Sequence, residues 1–240
     1  MMQKNRTLIW ITVFGIAMAF FESAIVIYLR EIYFPEGFSF PLKLLSNKIA
    51  LTEVIREAMS IIMIISVAML ASRKFAVQFA NFLYIFAIWD IFYYVFLKLI
   101  LGWPESLLTY DILFLIPANW VGPVIAPIIV SFTMILLASL IYFYEKRLKH
   151  IRIVRGEWIL LFTGAIVLIV AFIWDYTTYI SEYYKFHEVI RQMTSPAFKS
   201  IALDYIPDYF NWPFFIAGEG IILYTIYKFR RRNHKQLIKN

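Results

Sequence analysis

Cysteine is absent from this 240-residue chain, which excludes disulfides, thiolate metal sites and a cysteine nucleophile together. Histidine is scarce. His150, His187 and His234 are the only three, so a His-rich di-iron site or a bis-His haem within apolar segments is not expected. Charge is also in short supply: 16% of the residues are charged and 62% are hydrophobic, against roughly a quarter and about half in a soluble domain. With a mean hydropathy of +0.71, this is the composition of a chain dissolved in lipid, leaving no room for a separate soluble domain. The net charge of +7 would suit nucleic acid, but the basic residues sit where membrane topology puts them. Nucleic acid is therefore excluded as a partner, and membrane lipids are expected.

A membrane-crossing helix needs roughly 20 apolar residues. Six such runs predict an all-α, six-helix polytopic bundle forming a single integral membrane domain over 1–240, with spans near 8–30, 51–72, 75–101, 123–144, 157–179 and 212–229. Ala17 to Ala19 fits the small-x-small pattern of a signal peptidase site, but apolar character continues to Leu29, too far for an ordinary signal core, so a retained helix is expected. The run from Ile112 to Tyr144 exceeds one span and is interrupted by Pro117, Pro123 and Pro127. Because proline breaks helices, it divides into a short outer-surface or re-entrant helix over Glu105 to Leu115 and a span from about Pro123. Asn119 and Trp120 fall in the joint. Another surface helix is expected between Ser181 and Met193, where Tyr183, Phe186, Ile190 and Met193 share one side.

With both termini in the cytoplasm, fifteen of the 23 Lys and Arg residues fall on the inner side, as the positive-inside rule requires of a plasma-membrane protein. The acids do the opposite. Fourteen of the 16 fall on the outer side or in outer helix halves, an imbalance that topology does not explain. At about 1.5 Å rise per residue, Glu22, Glu57 and Glu219 lie roughly 9 to 12 Å below the outer helix ends, and Asp90 somewhat deeper. Buried charges in lipid are costly, so the four carboxylates are expected to converge on one cavity as candidate catalytic groups.

Arg56, adjacent to Glu57 and three residues from Glu53, is the expected counter-ion and a candidate substrate-binding group. Tyr94 and Lys98 continue the helical face of Asp90 towards the outer surface and join it as candidates, Lys98 being shallow enough to snorkel instead. His187, the only outer histidine, is the last, with an inert interfacial role as the plainer reading. Gly218 and Gly220 flank Glu219 and would allow close approach by another helix or a ligand. No protein-derived metal site is expected, although Mg²⁺ or Ca²⁺ would suit a carboxylate cluster.

Tyr110 and Asp111 resemble half of the motif pair of intramembrane aspartyl proteases, but the glycine-flanked aspartate of the other half is missing. The stretches Phe20 to Pro41 and Trp89 to Pro127 are similar to a bacterial family of uncharacterised polytopic membrane proteins. That resemblance implies a membrane fold and carries no activity.

Three functions remain open. The first is an outer-leaflet enzyme acting on a lipid, lipid-linked or membrane-delivered substrate by carboxylate acid–base chemistry. The second is a proton- or cation-coupled carrier. The third is a non-catalytic subunit or assembly factor whose polar core fixes helix packing.

Overall fold

A computed structural model describes residues 2–116, 118–148, 150–192 and 195–239, with side chains at all of these except 2–5, 186, 190 and 239. It is mostly helical (74%). Six long helices dominate the described residues: α1 (Met2–Tyr33), α2 (Asn47–Leu70), α3 (Phe75–Leu101), α4 (Ile125–Glu145), α5 (Arg155–Ser181) and α8 (Trp212–Lys239). Two short ones, α6 (Phe186–Gln192) and α7 (Pro196–Leu203), lie between α5 and α8. Four helices, α1, α3, α4 and α5, are long and apolar enough to cross a membrane. In α2 the exceptions are Glu53, Arg56 and Glu57, and in α8 the basic residues from Lys228 onward.

Local chemistry sets the helix ends. Ser46 caps α2 by accepting from the Ile49 N–H at 3.3 Å, and Asn211 accepts from Phe214 N–H at 3.1 Å at the start of α8. Gly102 ends α3 in the left-handed region (φ 69°), where a side chain would be strained. Lys98 completes that end by donating to the carbonyls of Gly102 (2.9 Å) and Pro104 (2.8 Å).

The all-helical expectation is corrected in one place. Residues 105–115 do not form a surface helix; they enter an antiparallel hairpin of β1 (Tyr110–Phe114) and β2 (Trp120–Pro123). Tyr110 pairs with Pro123, Asp111 with Gly122, and Ile112 with Val121, and the register shifts before Phe114 pairs with Trp120. Aromatic and β-branched residues favour this paired, half-buried ribbon. Pairing also satisfies backbone groups that a proline-broken helix would leave bare. Pro117 and Met193 lie outside the described residues.

Helices α1 and α2 both pack on α3, α3 packs on α4, α4 on α8, and α8 on α5, while the hairpin rests on α5 and α4. The α5–α8 crossing is close because it uses glycine on both sides. A Cβ on Gly164 would stand 2.6 Å from Ile222 and 3.1 Å from the Gly218 carbonyl, and one on Gly218 would stand 2.8 Å from Leu168. Gly220 differs, since a Cβ there would meet nothing within 4 Å. Of the two glycines flanking Glu219, only Gly218 permits a close approach.

The bundle has two chemically distinct ends. At the basic end, Lys74 meets Glu145 (2.9 Å) and Arg232 meets Glu157 (2.8 Å), joining the α2–α3 turn to α4 and α8 to α5. At the hairpin end, Asp175 accepts from the Tyr205 hydroxyl (2.6 Å) and the Asp208 N–H (3.2 Å), and Lys199 of α7 donates to Asn47 of α2 (2.5 Å).

Gly164→Val should lower stability by about 1–3 kcal/mol through overpacking, whereas Gly220→Ala should leave it unchanged or slightly raised. Thermal unfolding of the detergent-solubilised chain reads both.

Candidate functional site

The site is built where α1, α2 and α3 meet under the hairpin. Arg30, in the last turn of α1, donates from Nη2 to Asp111 Oδ1 on β1 at 3.1 Å, and their side chains are only 8% and 3% exposed. Its guanidinium also lies over the rings of Trp103 (3.7 Å) and Phe38 (4.4 Å), a placement that suits a weakly hydrated planar cation. Burial pushes the Asp111 carboxyl above the ordinary aspartate range, and the Arg30 charge works against that rise. The pair holds the hairpin down. Leu115, just past β1, then donates its N–H to Glu57 Oε2 at 3.0 Å, and Phe114 packs against Phe86 and Trp89 of α3.

Beneath this roof lie two adjoining hollows. The upper one, about 180 Å³, has walls from Val26, Leu29, Phe34 and Leu45, with Glu53, Arg56, Glu57 and Asp111 also exposed to it. The lower one, about 70 Å³, is bounded by Glu22, Arg56, Glu57, Asp90, Trp89 and Tyr94. Arg56, Glu57 and Tyr93 belong to both. The lower volume has room for about two water molecules.

Each carboxylate there has a different partner. Glu22 on α1 forms an ion pair with Arg56 of α2 and accepts a long hydrogen bond from Ser60 (3.4 Å). Glu53 holds the other side of Arg56, at 2.9 Å to Nε and 2.7 Å to Nη2. Arg56 is thus paired directly with two acids, and its charge also reaches Glu57 without a direct contact. Asp90 accepts from the Ser131 hydroxyl of α4 at 2.7 Å. Glu57 has only the Leu115 N–H, with no ion pair among the described residues. One further group is unspent: among the described residues Trp89 Nε1 is buried at the lower hollow without a hydrogen-bond partner, while the Tyr94 hydroxyl faces the Asp111 carboxylate.

The structure therefore brings together Glu22, Glu57, Asp90, Arg56 and Tyr94. Three other candidates stand elsewhere. Glu219 on α8 accepts from Thr133 of α4 at 2.9 Å, its second oxygen is buried without a partner among the described residues, and it lines neither hollow. Lys98 is engaged by the carbonyls that end α3. His187 is exposed on α6. Sequence reasoning passed over Arg30 and Asp111 as site residues. The one usable signal was Asp111 itself, a lone acid in the apolar run Tyr110 to Leu115.

Among the described residues, no group of three or more His, Asp or Glu side chains is placed to hold a metal ion. Glu22 is turned to Arg56 and Asp90 to Ser131, which spreads the acids around the hollow. Comparison with known proteins finds no matching family model, curated protein or solved structure.

Replacing one member of the buried ion pair, as in Asp111→Ala, should cost about 3–5 kcal/mol because Arg30 is left charged and unpaired. The double replacement Arg30→Met with Asp111→Leu should cost less than Asp111→Ala alone. Denaturant unfolding of the three variants beside the parent chain provides the comparison.

Proposed function

We propose that this chain is a six-span plasma-membrane enzyme that acts, in the outer half of the bilayer, on an amphipathic lipid-like substrate by carboxylate acid–base chemistry. The lower hollow carries this reading: it joins three carboxylates, one shared arginine and an unspent indole N–H directly to a more apolar hollow above. A polar end entering the lower hollow would meet Glu57 and Asp90, neither of which is in a direct ion pair among the described residues. Two carboxyls in different surroundings can divide the work, one delivering a proton and the other accepting one. Trp89 N–H would orient the reacting group. Since Glu22 and Glu53 already share Arg56, a phosphate or carboxylate would meet a negative field, and a hydroxyl, carbonyl or cationic group suits the hollow better.

The span count rests on burial. Glu53 and Glu57 of α2 are buried towards the site, while Ile55, Met59, Ile62 and Met69 are exposed, as expected of a helix with lipid on one side and a polar interior on the other. On α8, Glu219 is buried whereas Ile216 and Leu223 are exposed. The cluster of Lys and Arg at the basic end supports cytoplasmic termini. Because the chain has no cysteine, single introduced cysteines report sidedness cleanly. Ser106→Cys should react with an impermeant maleimide on intact cells, and Arg147→Cys only after permeabilisation; the reverse pattern would invert the assignment.

A proton-coupled carrier is the second reading. Glu219 favours it, as a buried carboxyl held by Thr133 with one oxygen unpartnered among the described residues, away from the hollows. Reconstitution with a total bacterial lipid extract separates the readings. Under the enzyme reading, Glu57→Gln and Asp90→Asn fold normally and reduce turnover of an extracted lipid species by about 10²–10⁴-fold, while Glu219→Gln leaves it intact. Parent-like turnover in both site variants sinks the enzyme reading. Proton movement abolished by Glu219→Gln, with no lipid consumed, would put the carrier in its place.

A further inference from the structure

A hollow of about 380 Å³ lies at the basic end, opposite the carboxylate site. It is enclosed by the start of α1, the α2–α3 turn and the end of α4. Leu8, Ile11 and Val77 give it an apolar interior. Its polar wall is rigid: Tyr142 donates to Asn81 Oδ1 at 2.9 Å, and Asn81 Nδ2 donates to the Ala68 carbonyl at 3.1 Å. The rim is cationic. Lys74 is balanced by Glu145 at 2.9 Å, but Arg73 and Lys146 are exposed and have no carboxylate partner among the described residues.

We infer that this hollow binds the headgroup of an anionic glycerophospholipid, with the phosphate between Arg73 and Lys146 and the start of an acyl chain along Leu8 and Ile11. Charge complementarity selects the anion, since two uncompensated cations flank the opening. Size and lining select a lipid over a free ion: the volume is several times that of a phosphate group, and the apolar interior offers an inorganic ion nothing. Depth agrees as well. The hollow lies where apolar helix ends meet the basic turns, which is the headgroup level of a leaflet rich in anionic lipid. A second hollow of about 230 Å³ shares Lys74 and carries Arg152 and His150, extending the cationic surface beside it. The inference is independent of the chemistry assigned to the carboxylate site.

The test uses the full-length, delipidated chain in neutral detergent, titrated with phosphatidylglycerol, phosphatidylcholine or inorganic phosphate and read by native mass spectrometry. One phosphatidylglycerol should be retained in preference to phosphatidylcholine, and inorganic phosphate should not displace it. Arg73→Ala with Lys146→Ala should weaken that retention by at least about tenfold, each basic group near an anionic lipid surface being worth on the order of a factor of five. Val77→Trp, which fills the hollow and leaves charge unchanged, should weaken it too. Arg230→Ala with Arg231→Ala, which removes equal charge outside the hollow, should not. Equal losses in the two charge-removal pairs would overturn the site in favour of general surface attraction. Retention untouched by Arg73→Ala with Lys146→Ala, or displacement by inorganic phosphate, would also overturn it.

Discussion

The buried ion pair between Arg30 and Asp111 is the contact on which the hairpin end depends. A hairpin inserted among helices has few ways to be held, because most of its hydrogen bonds are spent on itself. Here one strand residue reaches a cation at the end of α1, and two aromatic rings enclose that cation. With Asp111 fixed, Leu115 caps Glu57 and Phe114 rests on α3. On the other strand, Gly122 lies against Phe172 and Phe210 so closely that a Cβ would stand 2.9 Å from the Phe210 ring. The hairpin thus bridges the α1–α2–α3 side of the molecule to α5, and the hollows exist because it stands over them.

Most of the helical scaffold was legible in the sequence, since apolar length and end-capping residues are local properties. The Asn211 cap and the starts and stops of α3 and α4 fell close to where composition put them. The hairpin was not legible. Its prolines predict breaks in a helix, whereas Pro123 closes β2 and Pro127 sits in the first turn of α4, where its missing N–H costs nothing. Asp111 is visible in the sequence but has no partner there, because the arginine that meets it lies 81 residues away, at the end of α1.

The carboxylates divide along the same line. Depth along a helix can be counted from sequence, but rotation about the bundle cannot. Glu22, Glu57 and Asp90 share both depth and sector, while Glu219 shares only depth and faces α4 from the far side. Helix α4 links the two settings through a pair of hydroxyls two residues apart, Ser131 donating to Asp90 and Thr133 to Glu219. Two hydroxyls of a single turn, about 200° apart around the helix, thus serve acids on two different neighbours. The polar interior is therefore two separate sites with a common wall.

Helices α1 and α2 both pack on α3, and near the site they are joined directly by Glu22 of α1, which pairs with Arg56 and accepts from Ser60 of α2. Under the proposed function, the junction of these two helices beneath the hairpin would be the way into the hollows from the bilayer. A molecule arriving by that route diffuses in two dimensions and never crosses bulk water. Its supply is then set by its mole fraction in the leaflet, and apparent affinities would follow lipid composition and not aqueous concentration.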